Sequence, residues 1–111
     1  MEVPEEQFVI LAAPVPCSFV ILEGKHLEDQ RHPATLTGLA PGQAVLVTAS
    51  PLTRHSNIIV YFEAGSGQEA PELYAKVIRI LAEPDNSYVL HFTSVSPAMQ
   101  LQLNRLIEKQ I

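Results

Sequence analysis

The sequence predicts a mainly β fold: a small antiparallel barrel or rolled sheet of six or seven short strands, followed by one C-terminal α-helix. Two observations predict the sheet. Short apolar segments recur along the chain, separated by Pro, Gly, Asn or Asp. Those segments are rich in β-branched and aromatic residues, which fit a pleated, half-buried surface. A third observation predicts the helix. After Pro97 the apolar residues stop alternating and recur at i, i+4, i+7 and i+8.

The elements follow in order. Gln7–Ala12 is the first apolar segment, and Pro14 and Pro16 interrupt it because proline cannot donate to a strand ladder. Ser18–Leu22 is the second. Glu23–Pro33 is polar and carries most of the charge of the first half. Ala34–Thr37 reads as a short strand before Gly38, and Ala44–Thr48 as a clearer one. Asn57–Phe62 is nearly all apolar, so both of its faces are expected to be covered. Gly65–Pro71 is a turn able to close a hairpin onto Leu73–Leu81, a long strand. Glu83–Asn86 is a further turn. In the final strand, Tyr88–Thr93, the side chains of Tyr88, Leu90 and Phe92 share one face, and His91 and Thr93 the other. Ser96 is placed to cap the helix, with Pro97 at its first position. Met99, Leu103, Leu106 and Ile107 form its apolar face, while Gln100, Asn104, Arg105 and Lys109 point away. So short a helix is marginal alone and must dock.

Composition bounds the function. The 111 residues make one domain, 1–111, and no linker or repeat divides them. At 47% hydrophobic and 17% charged, the chain can build a core. Its small size makes oligomerisation favourable. A net charge of −5 argues against nucleic-acid polymers and anionic membranes as partners. Phe8–Ala13 is too short to insert in a membrane, and the acidic start, Met1 to Glu6, is not a secretory leader. A cytoplasmic location is expected. The single cysteine, Cys17, excludes an internal disulfide and reads as a small buried hydrophobe.

No motif carries catalysis: there is no nucleophile elbow, Walker loop or dinucleotide fingerprint. The carboxylate pairs Glu5/Glu6 and Glu28/Asp29 are merely adjacent in sequence. His26, Glu28, Asp29 and His32 lack any zinc spacing, so no metal is expected. Lys25, His26, Arg31 and His32 form the densest basic cluster, read either as a phosphate-facing patch or as a solvated loop neutralised by Glu28 and Asp29. Arg54 and His55 read as a second anion contact or a hairpin tip, and His91 as structural. Val45–Val47 and Ile58–Phe62 are apolar on both faces. A barrel interior covers one. The helix, the Phe8–Leu11 segment or another chain must cover the other.

Two segments carry a resemblance. Ala75-Lys-Val-Ile-Arg-Ile80 looks like the fifth strand, and Tyr88 to Pro97 like the last strand and helix start, of the PilZ domain. That family is a six-stranded barrel with a C-terminal helix, and the similarity runs from Ser18 to Ile111. The resemblance implies cyclic di-GMP as a ligand, a bacterial setting and a regulatory role. Members hold this ligand through an RxxxR pair and a D/N-x-S-x-x-G turn, because guanidinium forks pair with phosphates and stack on guanine. Neither motif is present. No arginine occurs between Met1 and Gln30. In Gly38 to Gln43, Gly38 replaces the acid or amide, Ala40 the serine and Gln43 the glycine, with Gly42 one position early. An alternative register makes Leu39–Ala44 the later turn before the family's fourth strand.

The resemblance then implies a noncatalytic module acting through a protein partner or a second copy of itself, as motif-lacking members do in type IV pilus assembly. The alternatives are a cyclic di-GMP receptor with an altered site at Arg31, His32, Gly38 and Gly42, and an unrelated small β-barrel that shares the pattern.

Overall fold

The chain runs β1 (Val9–Glu23), β2 (His26–Leu27), β3 (His32–Ala40), β4 (Gln43–Val47), β5 (Asn57–Phe62), β6 (Glu72–Leu81), β7 (Ser87–Val95) and α1 (Pro97–Glu108). A computed structural model describes residues 8–27, 30–62, 72–81 and 86–108. Every strand pairing is antiparallel. The order β2-β1-β3-β4-β7-β6-β5 is closed by a further pairing of β1 with β5. Apart from the two-residue β2, this is a closed six-stranded barrel followed by one helix, the architecture expected from the segment pattern.

Two local expectations are corrected. Pro14 and Pro16 do not end a strand: β1 is continuous over 15 residues. Its register with β3 shifts between Ile10 and Val15, so Leu11 to Pro14 stand against Thr37 alone. That bulge takes up Pro14 without a ladder bond. Pro16 pairs with Thr35 one residue before the first β1–β5 pair, Cys17↔Phe62. Gly38 is also not a turn residue. It lies inside β3 opposite Val45 and Ile10, next to a register shift between Leu36 and Gly38. A Cβ there would stand 3.4 Å from Val45 Cγ2 and 3.5 Å from the Val9 carbonyl oxygen. Those are ordinary van der Waals separations, so nothing in the packing explains a glycine at this position. The real turn is Pro41–Gly42, where Gly42 has φ +73° behind a proline, the chemistry of a type II hairpin.

The interior holds Phe19, Leu36, Leu39, Leu46, Ile58, Val60, Phe62, Leu73, Val77 and Leu90, all nearly inaccessible. Both ends are plugged. At one end α1 inserts Met99 and Leu103 into the core, with Leu106 packed against it. The helix starts where expected: the Met99 N–H donates to Ser96 Oγ at 3.1 Å, a cap worth about 1 kcal/mol. The side chain of Ile107 and residues 109–111 lie outside the described residues, as do the Gly65–Pro71 turn and most of Glu83–Asn86.

At the other end the segment from Thr48 to Ser56 crosses the barrel and buries Leu52, whose N–H donates to Tyr88 Oη at 3.2 Å. This segment also satisfies backbone groups freed by the β6 irregularity between Val77 and Arg79. His55 N–H donates to the Val77 carbonyl at 2.6 Å, Val77 N–H to the Ser56 carbonyl at 2.8 Å, and Arg54 Nε to the Ile78 carbonyl at 3.1 Å.

The outer face of β4 is covered by the N-terminal segment. Phe8, Ala40 and Val89 form a small outer cluster against Val45, Ile78 and Leu81.

Candidate functional site

The β3 strand sets the positions of all four residues singled out for an altered ligand site. Arg31 and His32 stand at its start, Gly38 inside it and Gly42 just beyond its end. Nine residues of strand span about 30 Å. The structure therefore brings Arg31 and His32 together and leaves Gly42 at the opposite end of the barrel.

Arg31 and His32 also diverge from each other, because successive strand side chains face opposite ways. His32 pairs with Phe19, a core residue, and its ring lies 5.1 Å from the Phe19 ring at 34°. Its Nδ1 is 3.1 Å from Ser50 Oγ. Thr48 Oγ1 donates to the Pro33 carbonyl at 2.8 Å and accepts from Ser50 N–H at 3.2 Å. His32 thus belongs to the polar seam between β3 and the crossing segment. Arg31 is exposed, and its guanidinium carbon lies 3.9 Å from the centroid of the Tyr61 ring, a close cation–π stack.

That stack sits on the outer face of β1, β5 and β6. Ser18, Tyr61 and Glu72 form one cross-strand row, and Val20, Ile59 and Tyr74 the next. Val20 and Ile59 are buried although they point away from the interior. Tyr74 is 38% exposed, and its hydroxyl donates to Glu72 Oε2 at 3.3 Å. The Glu72 carboxylate beside it holds the Tyr74 phenol above its usual range. Tyr61, Glu72 and Tyr74 were not singled out from the sequence. The legible signal was a tyrosine interrupting the apolar run of β5.

Gly42 borders a different feature, a cleft of about 150 Å³ between the β3–β4 turn and α1, lined among others by Leu39, Phe92, Leu103, Gln100 and Asn104. Gln100 Nε2 donates to Asn104 Oδ1 at 3.0 Å across its rim. Among the described residues no charged side chain lines the cleft, and those residues offer a phosphate no countercharge there.

The remaining candidates are scattered. Lys25 and His26 lie at the β1–β2 turn, and Glu28 and Asp29 fall outside the described residues. Arg54 and His55 form an exposed turn, with His55 at φ 73°. His91 is exposed between Gln43 and Lys76. Among the described residues, no three His, Cys, Asp or Glu side chains gather closely enough to hold a metal ion. No helix among them is long and apolar enough to cross a membrane.

Cys17 is buried, and burial pushes its thiol from an ordinary 9.0 up to about 12, partly offset by a hydrogen bond with the Leu36 backbone. Thiolate is the reactive form, so native protein at about pH 8 resists iodoacetamide, while denatured protein is labelled. The sign for stability follows. Above pH 9.0 the unfolded thiol ionises while the folded one stays protonated to about 12, so unfolding releases a proton and stability falls across that window. Urea midpoints measured from neutral to alkaline pH are expected to fall more steeply for the wild type than for Cys17→Ala. Equal slopes would refute this assignment.

Comparison with known proteins bears on the fold. No family model matches the chain, and no curated protein matches it. Among solved structures, it is similar to the crystal structure of the PilZ domain of CeSA from a cellulose synthesizing bacterium. The TM-score is 0.57, with 15% identity, over 87% of this chain and 92% of that one. The protein has a PilZ-like fold.

Proposed function

We propose that this PilZ-like barrel is a noncatalytic bacterial regulatory module, cytoplasmic, that acts through protein contacts and does not hold cyclic di-GMP by an arginine clamp. The observation that carries the reading is the dispersal of its anion-binding groups. Arg31 is laid on Tyr61 at one end of the barrel, and the glycine turn at Gly42 borders a cleft at the other that no charged side chain among the described residues lines. A dinucleotide diphosphate needs guanidinium groups and an approachable backbone together, within one ligand's length. Exposed Tyr74 and Arg31 lie around half-buried Tyr61, and these are residue types that dominate protein–protein contacts.

Calorimetric titration with cyclic di-GMP tests this directly. Wild type and Arg31→Ala are both expected to give no heat of binding and no change in melting temperature. A ligand at 100 times its Kd would stabilise the fold by about 2.7 kcal/mol, a readily measured shift. Stoichiometric binding lost in Arg31→Ala would replace this reading with that of a receptor using an altered site.

A further inference from the structure

We propose that the outer face of β6 around Lys76 is a docking strip for an acidic peptide segment of a partner protein; this rests on the reading of the module as one that acts through protein contacts. Two of the scattered candidates, Arg54 and His91, border the same lysine. Lys76 and His91 are cross-strand partners, with Cα atoms about 5 Å apart. Both point outward, because their chain neighbours Val77 and Leu90 fill the interior. Arg54 reaches the same stretch from the crossing segment, held by its Nε bond to the Ile78 carbonyl at 3.1 Å, two residues along β6 from Lys76. Its side chain is exposed, so the rest of its donor fork is open to a ligand. Asn57, opposite Lys76 on β5, adds an exposed amide at the border. Among the described residues, none of Arg54, Lys76 and His91 makes an ion pair. The described carboxylates stand elsewhere: Glu72 four residues back along β6 and bonded to Tyr74, Glu23 on β1 opposite His26, and Glu108 at the end of α1.

Charge complementarity and shape choose the occupant. Two cationic side chains with an imidazole donor beside them call for carboxylates or phosphates. The strip lies on the convex outer side of a closed sheet, where a small anion stays open to solvent, unlike one in a concave site. A nucleic-acid polymer or an anionic membrane meets the repulsion of a chain with net charge −5. A short acidic segment meets mainly the local field, since charges beyond a Debye length of about 8–10 Å are screened. Spacing agrees. An extended peptide repeats the side chains of one face about every 7 Å, and the donors here step about 5 Å across the ladder and about 7 Å along β6. Carboxylates at alternate peptide positions therefore meet His91, Lys76 and Arg54 in turn.

The test is fluorescence anisotropy of the full chain with a short labelled peptide of alternating glutamate and serine. Wild type is expected to bind it at low salt, to lose it as salt rises, and to ignore the same peptide with lysine in place of glutamate. Lys76→Glu is expected to weaken binding by about fivefold or more, and the further change His91→Glu to abolish it. Arg31→Glu, an exposed cation held on Tyr61 away from the strip, is expected to stay within about twofold of wild type. Circular dichroism reports whether each variant is folded, and Lys76→Gln, which removes only the charge, serves if Lys76→Glu is not. No binding of the glutamate peptide, equal binding of the lysine peptide, tighter binding of a labelled oligothymidylate, or indifference to both Lys76 changes overturns the proposal. Binding that appears only once Glu2, Glu5 and Glu6 are changed to glutamine makes the chain's own first residues the occupant and overturns it as well. The reading beneath it fails separately: binding of cyclic di-GMP bears on that reading whatever the peptide does, and loss of the peptide leaves the nucleotide titration unchanged.

Discussion

Phe19→Ala is expected to remove most of the stability of the barrel. Phe19 is fully buried at the point where β1 pairs with two strands at once, opposite His32 of β3 and Val60 of β5. Truncating a core phenylalanine costs about 3–5 kcal/mol, because the lost transfer energy is joined by a cavity that surrounding strands fill only in part. A domain of this size has a total of about 5–15 kcal/mol. The closing seam leaves little room to relax, since β1 is tied on both edges. The phenyl ring also forms one wall of the His32 site, so its loss loosens the seam to Ser50. Urea unfolding followed by far-ultraviolet circular dichroism is expected to show the midpoint falling with an unchanged slope. The melting temperature is expected to drop by on the order of 15 °C. Ile10→Ala, at a side chain 73% exposed, is the control and is expected to stay within about 0.5 kcal/mol of wild type. A loss under about 1 kcal/mol at Phe19 would contradict the closed, tightly packed barrel.

The parts of the fold legible in the sequence were those with local causes. Asn57–Phe62 coincides with β5, and Ser96 with Pro97 marks the start of α1, because β-branched runs and caps are properties of adjacent residues. Helix periodicity likewise picked out Met99 and Leu103, which the core contains. The misreadings share a different cause. Pro14, Pro16 and Gly38 carry strong turn signals, yet each lies in a strand whose partners are remote. A bulge tolerates the first proline, the second sits one residue before the β5 pairing begins, and the glycine lies between Ile10 and Val45 in paired strand.

The candidate site was less legible for the same reason. Arg31 and Tyr61 are 30 positions apart in number, and only closure of β1 onto β5 brings the guanidinium over the ring. His32 looked like a partner of Arg31 because it is the next residue, whereas strand alternation sends it toward Phe19. Sequence neighbours on a strand serve opposite faces, so a basic cluster read along the chain divides between a buried seam and an exposed stack. The barrel also keeps its two ends apart in space. The end near Arg31 is sealed by Leu52 and the crossing segment, and the end near Gly42 by the helix.

Met99→Asp is expected to detach that helix. Met99 is fully buried, one turn ahead of Leu103, and both belong to the main core. An ionised carboxylate placed there has no described cationic partner, and burying it unpaired costs several kcal/mol. Undocking is the cheaper response, and a 12-residue helix without its apolar contact is marginal in water. The helical part of the circular dichroism signal is therefore expected to disappear while strand signal persists, and a dye that binds exposed apolar surface is expected to bind at the opened barrel mouth beside Leu39 and Phe92. Met99→Leu, close in volume, is expected to cost under about 1.5 kcal/mol and keep the helix. Were Met99→Asp to retain both the wild-type helical signal and the wild-type midpoint, α1 would not be the plug of this barrel, and the cleft at Gly42 would lose one of its walls as a fixed feature.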